Sequence, residues 1–223
     1  MNLKSSETFA GMYRVDGVAA DGSNYVGAAT IIAQGLFGDV AAVIGKSERH
    51  GLGVVHDTRL LIAWGPKDKV EIGAYRIDRD SMQGLWIPPA ATGIDTIACG
   101  EEHSKRVDDN TWEIERAYDL EKNAYTGTIT IEPVSSDQPQ VVTILWNLHD
   151  GEYRSFGLRG DGWMVSTFNF APEFPHAIAA YEPIRDGWKG ELIWNDAQQV
   201  CREMLTLAAP ESASGRLSKR GAA

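Results

Sequence analysis

The sequence predicts an all-β fold, an internally duplicated antiparallel β-meander of barrel type with a C-terminal α-helix. Three observations predict it. The phrase GAYRIDRDSMQGLW (73–86) is echoed by AAYEPIRDGWKGELIW (179–194). Tyr125-Thr-Gly-Thr-Ile-Thr-Ile131 alternates Ile129 and Ile131 with threonines, the period-two signature of a strand with one wet face. Asp-Gly pairs, which favour the positive φ of tight hairpin turns, punctuate the second half at Asp150-Gly151, Asp161-Gly162 and Asp186-Gly187. A chain of 223 residues, 43% of them hydrophobic, can bury a core as one large all-β domain or two small ones.

The elements follow in chain order. A first barrel-like repeat spans 12–87 and a second 112–194. Tyr25-Val-Gly27 followed by Ile31 matches Tyr125-Thr-Gly127 followed by Ile131 at an offset of 100 residues, whereas Tyr75 with Tyr181 and Gly84 with Gly190 sit at 106. So small a drift means short loop insertions inside a duplicated unit. The turns repeat as well, Asp57-Thr58 and Asp80-Ser81 standing where the second copy has Asp161-Gly162 and Asp186-Gly187. Turns spaced at roughly 8 to 12 residues point to six or seven strands per half. Residues 88–111 read as a linker without a counterpart after the second copy. Asn195-Asp-Ala-Gln198 reads as a capping box opening a helix over 195–209, with Ala197, Val200, Cys201, Met204, Leu205 and Ala208 on one face and Pro210 beyond its end. The segment 210–223 is small and polar, and is expected to be flexible or to fold on a protein partner.

Gly11-Met-Tyr13, a Tyr-x-Gly-x-x-x-Ile strand, Gly51-Leu-Gly53 and the closing Gly84-Leu-Trp86 together resemble one unit of the avidin and lipocalin (calycin-type) meander barrels. The resemblance extends over both halves and rests on Gly and aromatic spacing. It implies a closed up-and-down barrel holding a small apolar ligand, in a group that also contains cofactor-independent cyclases, isomerases and lyases. The tandem units are also similar to bacterial proteins labelled fibronectin-binding, a label that would require export.

Composition excludes several classes. A net charge of −10, from 21 Lys and Arg against 31 Asp and Glu, argues against nucleic acid as a partner, because phosphate tracking needs clustered cations. No stretch approaches the roughly 18 apolar residues of a membrane helix. The opening MNLKSSETFAGMY lacks the apolar core of a secretion signal, so a cytoplasmic location without membrane partners is expected. Cys99 and Cys201 have no Cys-x-x-Cys spacing and read as free thiols, a single bridge being the alternative. No Gly-x-Ser-x-Gly elbow, phosphate loop or dinucleotide fingerprint is present, so neither cofactor nor metal is expected.

Two sets of residues are candidates for function. Trp64, Tyr75, Trp86, Trp146, Trp163 and Tyr181 could line a ligand cavity, since Trp and Tyr combine apolar area with a polar handle. Several recur at matched positions, which equally suits core packing. In the linker, Asp95, Cys99, Glu101, Glu102 and His103 put a thiol, carboxylates and an imidazole within nine residues, and Asp95, Cys99, Glu101 and His103 are the catalytic candidates. A solvated loop is the simpler account of that cluster. His56-Asp57 and His149-Asp150 read as hairpin residues and His176 as a loop residue. Three functions remain open: binding of a small apolar or aromatic molecule in a barrel cavity or inter-repeat cleft, cofactor-independent barrel catalysis, and a protein-interaction module. A homo-oligomer is compatible with each.

Overall fold

The computed structural model describes residues 3–4, 8–35, 37–66, 68–88, 99–169, 176–195 and 200–208. The described part of the first half runs through β1 (Leu3–Lys4), β2 (Gly11–Val18), β3 (Asn24–Gln34), β4 (Phe37–Ile44) and β5 (Ser47–His56). It continues through β6 (Arg59–Trp64), β7 (Val70–Ile77), β8 (Ser81–Ile87) and β9 (Gly100–Arg106). The second half supplies β10 (Thr111–Tyr118), β11 (Ala124–Ser135), β12 (Gln138–Leu148) and β13 (Gly151–Gly160). It ends with β14 (Trp163–Asn169), β15 (Ala177–Ile184), β16 (Gly187–Trp194) and β17 (Val200–Leu207).

These strands form two closed, antiparallel, eight-stranded barrels. The first closes in the order β2-β3-β4-β5-β6-β15-β16-β17 and back to β2, with β1 added to β5; the second in the order β7-β8-β9-β10-β11-β12-β13-β14 and back to β7. The duplication is therefore real, but neither half closes on itself. Each half gives five strands to one barrel and three to the other. The exchange happens after β6 and after β14, where the chain leaves one barrel for the next. β6 then pairs with β15, Leu60 opposite Tyr181 and Trp64 opposite Ala177, while β7 pairs with β14, Met164 opposite Tyr75 and Phe168 opposite Glu71. Closure in both rings leaves no open sheet edge on the barrels, which removes the usual liability of exposed strands.

The hairpins behave as their turn residues require. Asp57 at the β5–β6 turn has φ 53° and Gly162 at the equivalent β13–β14 turn has φ 75°. Both adopt the left-handed region that tight hairpins need and that Asp tolerates and Gly prefers.

Two expectations are corrected. The C-terminal α-helix over 195–209 is absent: residues 200–207 are β17, paired with β16 and β2, and no α-helix occurs among the described residues. Cys201, Glu203 and Leu205 face the interior while Arg202 and Met204 are exposed. The apolar positions fit both a period of 3.6 and a period of two, and the buried Glu203 hid the second. The segment 88–111 likewise contains a barrel strand, β9, with a hydrogen-bonded neighbour on each side. The 211–223 segment, Pro210 and Asp95 lie outside the described residues.

The buried side chains form three groups. One fills the first barrel around Tyr13, Ile31, Leu60, Ile62, Trp64 and Tyr181. A second lies where the outer faces of the barrels meet, with Leu52, Leu61, Ile72, Leu158, Val165 and Ile178. The third lines the second barrel with Tyr75, Met82, Trp112, Ile129, Ile144 and Trp146. At a rough 25 cal/mol per Å² of apolar surface, such burial is the main stabilising term.

Candidate functional site

Strand register places one motif twice. In the second barrel the cross-strand row is Tyr75, Gly84, Glu102, Ala117, Tyr125 over β7, β8, β9, β10 and β11. In the first barrel it is Tyr181, Gly190, Glu203, Gly17, Tyr25 over β15, β16, β17, β2 and β3. A buried glutamate stands between two tyrosines in each, separated from them by small residues. The small residues are there for space: a Cβ on Gly84 would lie 2.2 Å from Tyr75 Cε1, and one on Gly17 would lie 2.2 Å from Tyr25 Cζ. With those side chains absent, the rings lean across the sheet toward the glutamate.

The two copies differ in what completes them. In the first barrel Glu203 accepts hydrogen bonds from Tyr25 (2.6 Å) and Tyr181, and Arg49 Nη1 donates to its Oε1 at 3.2 Å. The Arg49 guanidinium also lies over the Tyr25 and Trp194 rings, 5.7 and 5.1 Å from their centroids. The site is internally saturated. In the second barrel Glu102, 2% exposed, accepts from Tyr125 through Oε2 (2.9 Å), and Trp86 Nε1 donates in turn to Tyr125 Oη (3.2 Å). Its Oε1 has no hydrogen-bond partner; the Trp146 indole N–H is near enough to favour the charged form without completing that bond.

Beside Glu102 opens a cavity of about 480 Å³. Glu71, Tyr75, Trp86, Trp146 and Phe168 form its walls with Glu102 and Tyr125, and the rim comes from the β10–β11 turn (Asp119, Asn123) and the β12–β13 turn (His149, Asp150) with Tyr153. Trp146 and Phe168 meet at 4.9 Å between centroids. The rim is braced: Asp119 accepts from the backbone N–H groups of Glu121 and Asn123 and from the Asn123 amide, at 2.8 to 2.9 Å. Cavities of this size, apolar with a few converging polar groups, are the usual form of small-molecule sites.

Electrostatics single out the two carboxyls. Burial, reinforced by Glu102 nearby, pushes Glu71 up to about 8. Glu102 is pushed up to about 7 by burial, against the lowering effect of the Tyr125 and Trp146 donors. Burial and then Glu102 raise the Tyr125 phenol, and Tyr75 is raised in the same way, so both tyrosines are neutral donors. Acid-base groups with raised values inside a cleft are markers of functional sites.

The residues singled out by sequence divide between places. Tyr75, Trp86 and Trp146 line this cavity. Trp64 and Tyr181 lie in the filled first barrel. Trp163 packs on the outside, against the inter-barrel core and under the Arg59 guanidinium at 5.1 Å. Of the β9 candidates, Glu101 is exposed and His103 faces outward, its Nε2 3.2 Å from Arg116 Nη2, and burial followed by Arg116 lowers the imidazole. Cys99 packs against the inter-barrel core, and both cysteines are free. His56 is buried at the end of β5, its imidazole held neutral by burial, with Nδ1 3.9 Å from Asp57. The candidates on β9 are thus not brought together. Their neighbour Glu102 is the inward-facing one, joined by Glu71, Tyr125 and Phe168, which sequence reasoning had not selected. Strand parity was the available signal, because Gly100, Glu102 and Ser104 alternate with Glu101, His103 and Lys105. Among the described residues no group of three or more His, Cys, Asp or Glu is arranged to hold a metal ion.

No protein-family model, curated protein or solved structure matches this chain.

Proposed function

We propose that the protein binds a small molecule with an apolar or aromatic body in the cavity of its second barrel. The observation that carries this reading is the contrast between two copies of one motif: the first barrel satisfies Glu203 internally, while the second keeps Glu102 beside a 480 Å³ aromatic-walled cavity with one oxygen unpaired. A buried polar atom without a partner is costly in a finished core, and a ligand that draws the Glu102 carboxyl into a complete set of hydrogen bonds recovers that cost. Eight strands enclose an interior just large enough for packed side chains or one small ligand, as in the calycin-type barrels this meander resembles.

Native mass spectrometry of gently purified protein tests the reading. A stoichiometric adduct of small mass is expected, lost in a Trp86→Ala, Trp146→Ala double variant that opens the aromatic walls while a Trp163→Ala variant keeps it. Retention by the double variant and loss by Trp163→Ala would place the ligand outside the second barrel.

A second reading, cofactor-independent acid-base catalysis, draws on the same cavity. Glu71 at about 8 and Glu102 at about 7 are suited to exchange protons near neutrality. Under that reading Glu71→Gln and Glu102→Gln abolish turnover of the bound molecule without abolishing its retention.

A further inference from the structure

The quasi-equivalence of the barrels says more about the ligand, resting on the reading that the cavity is a binding site. Arg49 stands opposite Ala42 in the β4–β5 ladder, and Tyr153 stands opposite Trp146 at the same place in the β12–β13 ladder. The residue that delivers a guanidinium to Glu203 in the first barrel is therefore a tyrosine at the rim in the second. The Tyr153 hydroxyl turns away to Asp150, donating at 3.0 Å. The carboxylate of the motif and its two tyrosines are kept, its cation is missing, and the bond that Tyr181 gives Glu203 is not made by Tyr75, which leaves Glu102 Oε1 unpaired.

Further observations point the same way. Glu71 occupies the inward position that Ala177 holds in the first barrel, each pairing with the ring-bearing residue of the neighbouring strand, Phe168 or Trp64. The second barrel has thus a second carboxyl where the first has a methyl group. Glu71 is only 9% exposed and Glu102 2%, and both border the cavity. The other ionisable groups at its rim are Asp119, Asp150, Tyr153 and the His149 imidazole, and no Lys or Arg is among the described lining residues. At mildly alkaline pH an anion entering at depth would meet the Glu71 and Glu102 carboxylates, and a neutral molecule could give them only an uncharged hydrogen bond. A cation meets carboxyl groups at depth and the Trp86 and Trp146 rings in the wall, a desolvated setting that strengthens charge-assisted hydrogen bonds and cation–π attraction.

We infer that the second barrel takes a small organic cation, an ammonium or guanidinium group carried on an apolar or aromatic body, seated against Glu102 as the Arg49 guanidinium is seated against Glu203. The first barrel is in this sense a complex with its own side chain, and the second is the same site left for a ligand from outside. The Glu102 carboxylate accepts from the cationic N–H on the side of Tyr125, as Glu203 Oε1 accepts from both Tyr25 and Arg49, Glu71 supplies the second carboxylate, and the aromatic walls take the apolar body.

The test compares charged probes with neutral isosteres on the full-length protein at mildly alkaline pH: tryptamine against 3-(2-hydroxyethyl)indole, and benzylamine against benzyl alcohol, by calorimetric titration. Each amine is expected to bind at least about tenfold more tightly than its alcohol, the scale of a charge-assisted hydrogen bond. Glu102→Gln should erase that preference and Glu71→Gln should reduce it. Tyr153→Arg, which restores the first barrel's arrangement, should weaken amine binding about tenfold or more. Glu113→Gln, exposed on β10, serves as the control and should leave the preference intact. Alcohols that bind as well as the amines would overturn the inference while leaving the cavity reading standing; failure of all four probes would overturn both. Because two of the informative variants are isosteric acid-to-amide changes and one exchanges a side chain at an exposed rim, the outcome does not hang on a single substitution that unfolds the barrel.

Discussion

Glu71 and Glu102 set the behaviour of the molecule at the scale of single residues. Both carry raised carboxyl values, about 8 and about 7, against an ordinary 4.5. The sign of the linkage follows: between about 4.5 and about 8 the folded state holds protons that the unfolded chain has released, so these groups make the ligand-free protein less stable as pH rises through that window. Their stabilising share is complete at low pH and gone above the Glu71 value. The double variant Glu71→Gln, Glu102→Gln is expected to flatten this slope, gaining on the order of a few kcal/mol over the parent from one end of the window to the other. Urea unfolding at several pH values measures it, and parallel curves for parent and variant would refute the assignment. Glu203 is different in kind. Its Arg49 partner is itself mostly buried, with 17% of the side chain exposed, so removing the carboxylate strands a cation rather than relieving a burden.

At the scale of elements, the closing strands β9 and β17 carry the lesson. Both place a glutamate on the inward face, in the runs Gly100-Glu101-Glu102-His103-Ser104 and Cys201-Arg202-Glu203-Met204-Leu205. Inward polarity is what made β9 read as a solvated linker and β17 as an amphipathic helix. Hydrophobic periodicity reports burial only where burial is apolar, and each of these strands buries a carboxyl group. By contrast the 125–131 run of β11, whose interior positions Ile129 and Ile131 are aliphatic, was legible as a strand. The glycines of β8 and β2 belong to the same scale, since they admit the tyrosine rings to the glutamate row. Gly84→Ala would set a methyl group 2.2 Å from Tyr75 Cε1, and is expected to cost about 1–3 kcal/mol and to displace Tyr75 from the cavity wall. A shift in the denaturation midpoint together with weakened amine binding would show it; an unchanged midpoint would mean that the ring moves freely.

The whole molecule is organised by exchange. Every barrel contains strands from both halves of the chain, joined through the β6–β15 and β7–β14 ladders, and the outer faces of the barrels share one apolar core. Neither barrel can lose its ring without disturbing the other. The protein is therefore expected to unfold in a single transition, and Glu203→Leu, which by stranding Arg49 should cost about 3–5 kcal/mol in the first barrel, is expected to speed hydrogen exchange in β11 and β12 of the second as well. Protection of β11 and β12 that stays at the parent's level would show two independently stable barrels.

The sequence by itself determined the all-β class, the duplication and the hairpins that Asp marks, because each is written in local patterns: alternation along a strand, the Asp-Gly turns, and the matched Tyr and Gly anchors; its six or seven strands per half fell short of the eight barrel strands each half supplies. It also exposed Tyr75, Trp86 and Trp146 as aromatic candidates, three of the residues that wall the cavity. Only the tertiary structure decided which barrel each strand joins. The same hydrogen-bonding edge of β6 could accept a strand from its own half or from the other, and the choice is made by long-range packing rather than by local propensity. The same assembly decided that Glu102, one of several acidic residues in an ordinary polar stretch, lies buried beside an aromatic cavity. Its equivalent Glu203 is matched by an arginine brought from a strand 154 residues away in the chain. A carboxylate's role depends on what surrounds it in space, and no spacing along the chain encodes whether its cation comes from within or from a ligand.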